Sequence, residues 1–165
     1  MAYRLLQMGG PLENKQRAPL EDKHYRAVAN DKHYRAVRAL FKETFDTTIF
    51  TPHTLNETWY TRHKDESYAF FDSDKLIGFI LTSYHRKNKE NMYIDFIAID
   101  KAYRGKGLGS KYLSEMLSKL KEQRRSVHLY PERRELNGWY ERLGFYKTHD
   151  GYYNFHSYDT RLKLC

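Results

Sequence analysis

Four stretches of the chain have the apolar spacing or the end signals of helices. Two of them carry an apolar stripe at helical spacing. The first stripe consists of Val37, Leu40, Phe41 and Phe45, and the second consists of Leu108, Tyr112, Leu113, Met116, Leu117 and Leu120. The other two are shorter, and they run from Thr54 to Lys64 after Pro52 and from about Glu135 to Leu143 before Gly144.

Between the helices, the apolar residues follow the patterns of β-strands. Asp72, Ser73 and Asp74 form a turn signal between two β-rich runs, so these runs are predicted to pair as a hairpin. One strand precedes the long striped helix and another follows it, which makes a single strand–helix–strand crossover. The strands predicted in this way cover residues 68–71, 76–81, 92–99 and 127–130, with two final strands in 145–164.

This order of elements predicts an α+β fold: a mixed, mostly antiparallel central sheet with one crossover, flanked by helices. The length of 165 residues fits one domain with a single core, which we place at residues 22–165. Residues 1–21 contain two glycines and two prolines, and they are predicted to be a flexible lead-in or, at 3–8, a short first strand.

The composition excludes several classes of protein. Hydrophobic residues make up 40% of the chain and aromatic residues 16%, which is enough apolar surface for a core and excludes disorder throughout. No apolar run approaches the length that spans a membrane, and the apolar patch in the first ten residues is too short for a secretory signal, so we expect a cytoplasmic chain. Cys165 is the single cysteine, which excludes an internal disulfide and a cysteine-rich metal site, and we expect no metal.

The charge of the chain favours acidic partners without choosing one. With 29 Lys and Arg against 21 Asp and Glu, the net charge is +8, which suits nucleic acid, a phosphorylated cofactor or an acidic peptide. A solvated basic surface explains the same balance. Nucleic acid is not the favoured partner, because the 15 tyrosines that could stack on bases are expected to fill the core and the strand faces.

A heptapeptide, DKHYRAV, occurs twice, at residues 22–28 and 31–37. Two short copies are too few for a solenoid, so the repeat indicates a local duplication. The spacing of His24 and His33 fits no tetrahedral metal site, and both are predicted to be solvent-facing helix residues.

The segment from Ile97 to Ser110 carries the candidate chemistry. A buried strand ends there, three glycines alternate over five positions, and a helix begins. Glycine lets the backbone turn tightly and lets a ligand approach without a Cβ in the way. The first turn of the helix offers unpaired N–H groups that bind anions, and Arg104 and Lys106 add positive charge beside them. The segment therefore predicts a diphosphate site.

Two common phosphate motifs do not fit this segment. A P-loop needs four residues between its first glycine and Gly-Lys-Ser/Thr, and a dinucleotide fold needs a third glycine where this chain has Ser110. The pattern that fits is Arg-x-x-Gly-x-Gly after a β-strand, from Arg104 to Gly109.

With this pattern and a second motif, the sequence resembles the GNAT superfamily of acetyl-CoA-dependent N-acetyltransferases. The second motif is WYERLGF at Trp139–Phe145, which is similar to the family's Leu-Tyr-Glu-Lys-Leu-Gly-Phe segment. The predicted element order from about Val37 onward also agrees. Many members have asparagine seven residues before the motif tyrosine, where this chain has Arg133, so cofactor contacts at that position are expected to differ.

The resemblance implies a GNAT-like fold and direct attack on the acetyl group of acetyl-CoA by a primary amine of a protein, a peptide or a small molecule. It implies that Tyr140 protonates the leaving thiolate. It implies that the strand before the turn binds the pantetheine arm and polarises the carbonyl through the main chain of Ile97, Ala98 and Ile99. It implies that the diphosphate is held by the amides of Gly105, Lys106, Gly107, Leu108, Gly109 and Ser110, with the side chains of Arg104 and Lys106 beside it.

The general base stays open at this point. Asp95 is predicted to share one face of its strand with Tyr93, Ile97 and Ile99, and burial among apolar neighbours would raise the pKa of its carboxyl toward useful values. A structural aspartate fits equally well, and Glu132 or a chain of water molecules could serve as the base instead.

The competing hypothesis is a GNAT-like module that senses acyl-CoA or binds nucleic acid without catalysis. The acceptor is expected to depend on the loop at about 46–56 and on the final strands, neither of which carries a recognisable motif. The chain is predicted to be a monomer or a homodimer.

Overall fold

The structure is a computed structural model, which describes residues 3–7, 32–84, 91–131, 134–147 and 153–156. This part of the chain forms four α-helices, seven β-strands and two single-turn 3₁₀ helices. The α-helices are α1 (Lys32–Thr44), α2 (Pro52–Tyr60), α3 (Leu108–Glu122) and α4 (Asn137–Arg142). The strands are β1 (Tyr3–Gln7), β2 (Tyr68–Asp72), β3 (Lys75–Tyr84), β4 (Met92–Ile99), β5 (Ser126–Leu129), β6 (Tyr146–Lys147) and β7 (Tyr153–His156). The 3₁₀ helices are Lys101–Tyr103 and Arg134–Leu136.

The chain forms two compact units, which are described separately. The first unit comprises Met1–Ser83 and Phe96–Leu108, and the second comprises Tyr84–Asp95 and Gly109–Cys165. A single domain over residues 22–165 stays a prediction.

The strands follow the hydrogen-bonded order β1-β2-β3-β4-β5-β7-β6. Four pairs are antiparallel: β1 with β2, β2 with β3, β5 with β7, and β6 with β7. Strands β4 and β5 are parallel, and α3 lies between them in the chain, as a parallel connection requires. The predicted mixed, mostly antiparallel sheet with one crossover is confirmed.

Helix α2 differs most from its predicted bounds, because it begins two residues earlier and ends four residues earlier, at Tyr60. Thr51 caps its start: the Thr51 hydroxyl oxygen accepts a hydrogen bond from the Thr54 amide at 3.2 Å, and Pro52 suits the first position of a helix. The connection from α1 to α2 is therefore shorter than the predicted loop at 46–56.

The core of the first unit lies where the stripe of α1 meets the sheet. All four predicted stripe residues are buried, and they form one cluster with Leu55 and Trp59 of α2 and with Phe96 and Ala98 of β4. Burial of a large apolar side chain contributes about 1.5–3 kcal/mol. This cluster therefore holds α1 and α2 against one face of β4.

The second copy of the duplicated heptapeptide forms the start of α1. Tyr34 is only 1% exposed. The side chain of His33 is half-buried, and its ring lies 5.4 Å from the ring of Phe71, so the prediction that His33 faces solvent is wrong. The reason is its position: His33 precedes buried Val37 by four residues, so both lie on the same face of the helix. The first copy, with His24, lies outside the described residues.

The connection between α1 and α2 is held at both ends. Asp46 accepts hydrogen bonds from the amide and the hydroxyl of Thr48, at 2.9 and 2.6 Å, and these bonds lower the pKa of the Asp46 carboxyl. Further along, the ring of Phe50 meets the rings of Phe45 and Phe96 edge to face, with centroids 5.9 and 5.8 Å away. The connection is therefore a compact turn beside β4.

Tyr34 makes the stability of the fold depend on pH in the alkaline range. Burial raises the pKa of its phenol above the ordinary value of 10.0, and the nearby charge of Arg38 opposes this shift only in part. The folded protein then keeps a proton that the unfolded chain has released, so the free energy of unfolding should fall as the pH rises above about 10. In Tyr34→Phe this fall should be less steep. Denaturant titrations at about pH 8 to 11 measure it, and equal slopes for the two proteins would contradict the prediction.

Candidate active site

Strand β4 carries the main-chain groups that were predicted to bind the pantetheine arm, and its two faces differ in burial. Residues on one face are buried: Met92, Ile94, Phe96 and Ala98. Those on the other face are partly exposed: Tyr93, Ile97 and Ile99. Asp95 shares this second face, as predicted, but it is exposed. The burial that would raise the pKa of its carboxyl is therefore not found, because it is the face with Phe96 and Ala98 that packs on the core.

Gly78 on β3 allows the end of β4 to come close to the β3 backbone. A Cβ at this position would lie 2.7 Å from the carbonyl oxygen of Ala98 and 2.7 Å from Cδ1 of Ile99. The carbonyl oxygen belongs to the backbone and cannot rotate away as a side chain can. The main chain of Ala98 and Ile99 is therefore held by a contact that only glycine permits.

Beyond β4 the chain passes through the 3₁₀ helix Lys101–Tyr103 into the glycine turn. The Asp100 carboxylate caps this short helix by accepting a hydrogen bond from the Ala102 amide at 2.9 Å. Next comes the exposed Arg104, whose Nε donates to the carbonyl oxygen of Ile99 at 2.8 Å. A guanidinium has five N–H donors, so four remain after this bond for an anion.

The segment that leads into the glycine turn is tied to the β2–β3 hairpin. The Tyr103 hydroxyl donates to Oδ2 of Asp72 at 2.6 Å, and Nζ of Lys75 lies 3.7 Å from Oδ2 of Asp100. The ammonium groups of Lys75 and Lys106 lie 5.4 and 5.2 Å from the centre of the Tyr103 ring, within the range of cation–π attraction. Lys106 thus has a defined place beside the turn.

The glycine turn has the geometry of an anion site. Gly105 and Gly107 have φ of +77° and +75°, a conformation that strains other residues. A Cβ at either position would meet nothing within 4 Å, so the space beside the turn is open. Helix α3 begins directly afterwards at Leu108, and its first amides have no partner within the helix. Together with Arg104 and Lys106, these groups fit a diphosphate.

The parallel pairing of β4 with β5 is short. The register joins Met92 to Val127 and Tyr93 to His128, and among the described residues it goes no further. Strand β4 continues to Ile99, so its later residues have no register partner in β5. Peptide groups beyond a paired stretch can bind an extended chain such as a pantetheine arm.

Tyr140 lies in the second unit, on α4. Its side chain is 6% exposed, and its ring centroid lies 4.8 Å from that of Trp139 and 5.6 Å from that of Phe145. Trp139 also reaches the first turn of α3, where its Nε1 donates to Oγ of Ser110 at 2.7 Å. The motif that contains Tyr140 is therefore bonded directly to the helix that follows the glycine turn.

Comparison with known families decides the class of this protein. A family model described as "Acetyltransferase (GNAT) family" matches residues 34–145, a range that includes both motifs. The chain belongs to the GNAT acetyltransferase family. The predicted resemblance is confirmed, and with it the acyl-CoA-dependent acetyltransferase class and acetyl-CoA as the co-substrate. No curated protein sequence matches this GNAT acetyltransferase.

Solved structures share the fold of this GNAT acetyltransferase. The GNAT family N-acetyltransferase YhbS of Escherichia coli, in complex with CoA, is 20% identical, with 78% of each chain covered and a TM-score of 0.59. An aminoglycoside 6′-N-acetyltransferase complexed with coenzyme A is 12% identical, with 79% of this chain and 94% of that chain covered and a TM-score of 0.58. The ribosomal-protein-S18-alanine N-acetyltransferase of E. coli is 14% identical, with 93% and 91% covered and a TM-score of 0.53. At these identities the likeness shows the fold alone, and it confirms the predicted GNAT-like fold.

One pair of side chains on the same sheet face as Asp95 was not predicted from the sequence of this GNAT acetyltransferase. The rings of Tyr93 on β4 and His128 on β5 lie 5.7 Å apart, and both residues are half-buried. Because their strands pair in direct register, they lie on the same face of the sheet as Asp95. An imidazole is a further acid–base group on that face. The alternation along β5 could have indicated the face of His128 within its strand, but only the register places it beside Tyr93.

Two further residues from the sequence analysis, Glu132 and Arg133, lie outside the described residues. In the ranges that the structure does describe, no helix has the length and apolar character needed to cross a membrane. The same ranges hold no cluster of three or more His, Cys, Asp or Glu side chains that could bind a metal ion.

Proposed function

We propose that this protein is an N-acetyltransferase that moves the acetyl group of acetyl-CoA to a primary amine by direct attack. The observation that carries the proposal is the glycine turn, where Gly105 and Gly107 open the backbone ahead of α3 beside two basic side chains. The amides of residues 105–110 bind the diphosphate, with Arg104 and Lys106 beside it. Strand β4 precedes this turn, with the short 3₁₀ helix Lys101–Tyr103 between them, and this order supports binding of the pantetheine arm by the main chain of Ile97–Ile99.

The chemistry forms one bond and breaks another. The amine nitrogen attacks the acetyl carbon, the C–N bond forms, and the C–S bond breaks to release CoA as a thiolate. The attacking nitrogen loses one proton and the sulfur gains one, so the reaction needs an acid and a base. Main-chain N–H groups of β4 polarise the carbonyl during the attack.

Tyr140 is the acid in this proposal, and Asp95 is the base. The Tyr140 hydroxyl gives its proton to the thiolate and regains one from solvent. Asp95 takes the proton from the amine nitrogen, and its exposure supports exchange of that proton with water. A chain of water molecules is the alternative base, and replacing Asp95 by Asn would then leave turnover unchanged.

The acceptor is an amine of a protein, a peptide or a small molecule. The names of the structural neighbours refer to an alanine of a ribosomal protein in one case and to an aminoglycoside in another. Similar folds thus serve different acceptors, and the acceptor has to be found by experiment. We place the protein in the cytoplasm, which its single cysteine supports, as a monomer or a homodimer.

A free-thiol assay tests the proposal. The full chain is incubated with acetyl-CoA and a panel of small amines, polyamines and peptides, and CoA release is compared with the rate without an amine. Release that depends on one class of amine, with the acetyl group found on that amine by mass spectrometry, is the expected result. If calorimetry records CoA binding but no amine stimulates release, the protein is an acyl-CoA sensor. If CoA does not bind and nucleic acid binds with an affinity that falls steeply with salt, the hypothesis of a nucleic-acid-binding module is correct.

A further inference from the structure

The hydrogen bond from Trp139 to Ser110 sets the direction of the serine hydroxyl. An indole N–H can only donate, so Oγ of Ser110 is the acceptor at 2.7 Å. A serine hydroxyl has one hydrogen, which must then point to a different acceptor. Among the described residues, the Ser110 side chain makes this one hydrogen bond. Its hydrogen is therefore available to a ligand.

The position of Ser110 in the first turn of α3 places that hydrogen beside the proposed diphosphate site. Ser110 is the third residue of α3, in the turn whose amides have no partner within the helix. A serine in a helix often donates instead to the carbonyl one turn earlier, which here would be the carbonyl of Lys106. Because that bond is not formed in the described structure, the hydroxyl adds a donor to those of the neighbouring amides.

We propose that Trp139 is a positioning residue for the cofactor: its indole N–H holds the Ser110 oxygen so that the serine hydrogen is presented to the diphosphate of acetyl-CoA. This inference rests on the proposed function and deepens it. Trp139 acts on the nucleotide half of acetyl-CoA, whereas its neighbour Tyr140 acts on the thioester half. The residue type matters, because the family's similar segment has leucine at this position, and leucine has no donor.

Three single variants and one double variant test the inference by calorimetry with CoA. Ser110→Ala loses the hydroxyl, and its Kd should rise about tenfold, as expected for a hydrogen bond to a charged group. Trp139→Phe keeps a ring against Tyr140 but loses the N–H, and its Kd should rise about fivefold, since the hydroxyl remains but is no longer oriented. The double variant, which combines Trp139→Phe with Ser110→Ala, should bind CoA no more weakly than Ser110→Ala alone. Ser110→Thr keeps the hydroxyl and should bind within about twofold of the unmodified protein.

A truncated substrate separates positioning from a general loss of stability. S-acetylpantetheine has the thioester but lacks the diphosphate. With acetyl-CoA, Trp139→Phe should raise KM about fivefold at nearly unchanged kcat. With S-acetylpantetheine, the kcat/KM of this variant should equal that of the unmodified protein, a difference between substrates that weakened folding would not produce.

Several results would overturn the inference. One is a Trp139→Phe protein that binds CoA as tightly as the unmodified protein while Ser110→Ala does not. Another is a rise in Kd caused by Trp139→Phe that is equally large when Ser110 has already been replaced by alanine. If Trp139→Phe does not fold, Trp139→Leu takes its place with the same expectations for CoA binding. Leucine lacks the ring that lies against Tyr140, so kcat is not compared for this variant. Absence of CoA binding by the unmodified protein would instead refute the proposed function, and this is seen before any variant is compared.

Discussion

Replacing Tyr140 with phenylalanine should lower kcat by roughly 10²- to 10⁴-fold, which is the range that general acid catalysis contributes. The variant keeps the ring that contacts Trp139 and Phe145, and it loses only the hydroxyl that we propose as the acid for the leaving thiolate. The dissociation constant for CoA should therefore change by less than about twofold. Steady-state thiol release gives kcat, and calorimetry gives the dissociation constant.

Tyr112→Phe is the matched control for this variant. Tyr112 is another buried tyrosine of the second unit, 3% exposed against 6% for Tyr140, and the substitution removes the same atom. Its kcat should stay within about twofold of the unmodified protein. Full turnover by Tyr140→Phe would exclude Tyr140 as the acid. Equal losses in both variants would show that the substitution acts through folding rather than through proton transfer.

Valine at the glycine turn should weaken acetyl-CoA binding strongly. Gly105 and Gly107 have positive φ, which costs an ordinary residue about 1–2 kcal/mol. A variant relaxes to another backbone conformation when it is free, and it must regain the strained one to bring its amides to the proposed diphosphate site. Since 1.4 kcal/mol is a factor of about ten, Gly107→Val should raise the Kd for CoA roughly tenfold, and the double variant with Gly105→Val roughly a hundredfold.

Asparagine at the same position separates conformation from the mere presence of a side chain. Asn adopts positive φ far more readily than valine, so Gly107→Asn should bind CoA more tightly than Gly107→Val. The open space at the Cβ position of Gly107 means that neither side chain is blocked in the free protein. A Gly107→Val protein with unchanged affinity would refute the glycine turn as the diphosphate site.

Most of the fold could be predicted because its signals are local. The stripe on α1 repeats every three or four residues, and each member contacts the core in the structure. The glycine turn was predicted from alternating glycines at the end of a strand, and in the structure Gly105 and Gly107 of this turn have positive φ. Such features depend on neighbours within one or two turns of the chain.

Predictions that depended on burial were less successful. Alternation along β4 placed Asp95 on the same face as Tyr93 and Ile97. It could not indicate which face of β4 packs on the core, and the Asp95 carboxyl is exposed. His33 was expected to face solvent, and its ring instead lies against Phe71. In both cases the outcome depends on which element packs against the residue, and periodicity carries no information about that partner.

The amino-acid sequence by itself determined the order of helices and strands and the glycine turn, because each follows from short-range spacing and backbone preference. The family followed from the likeness of two motifs to those of known acetyltransferases. Only the tertiary structure decided which distant side chains meet within each unit. Trp139 bonds to Ser110 across 29 positions, Tyr103 bonds to Asp72 across 31, and His128 meets Tyr93 through the register of two strands. The physical reason is that these contacts are made by the packing of whole elements, and the free energy of that packing is summed over many side chains rather than encoded at any one position.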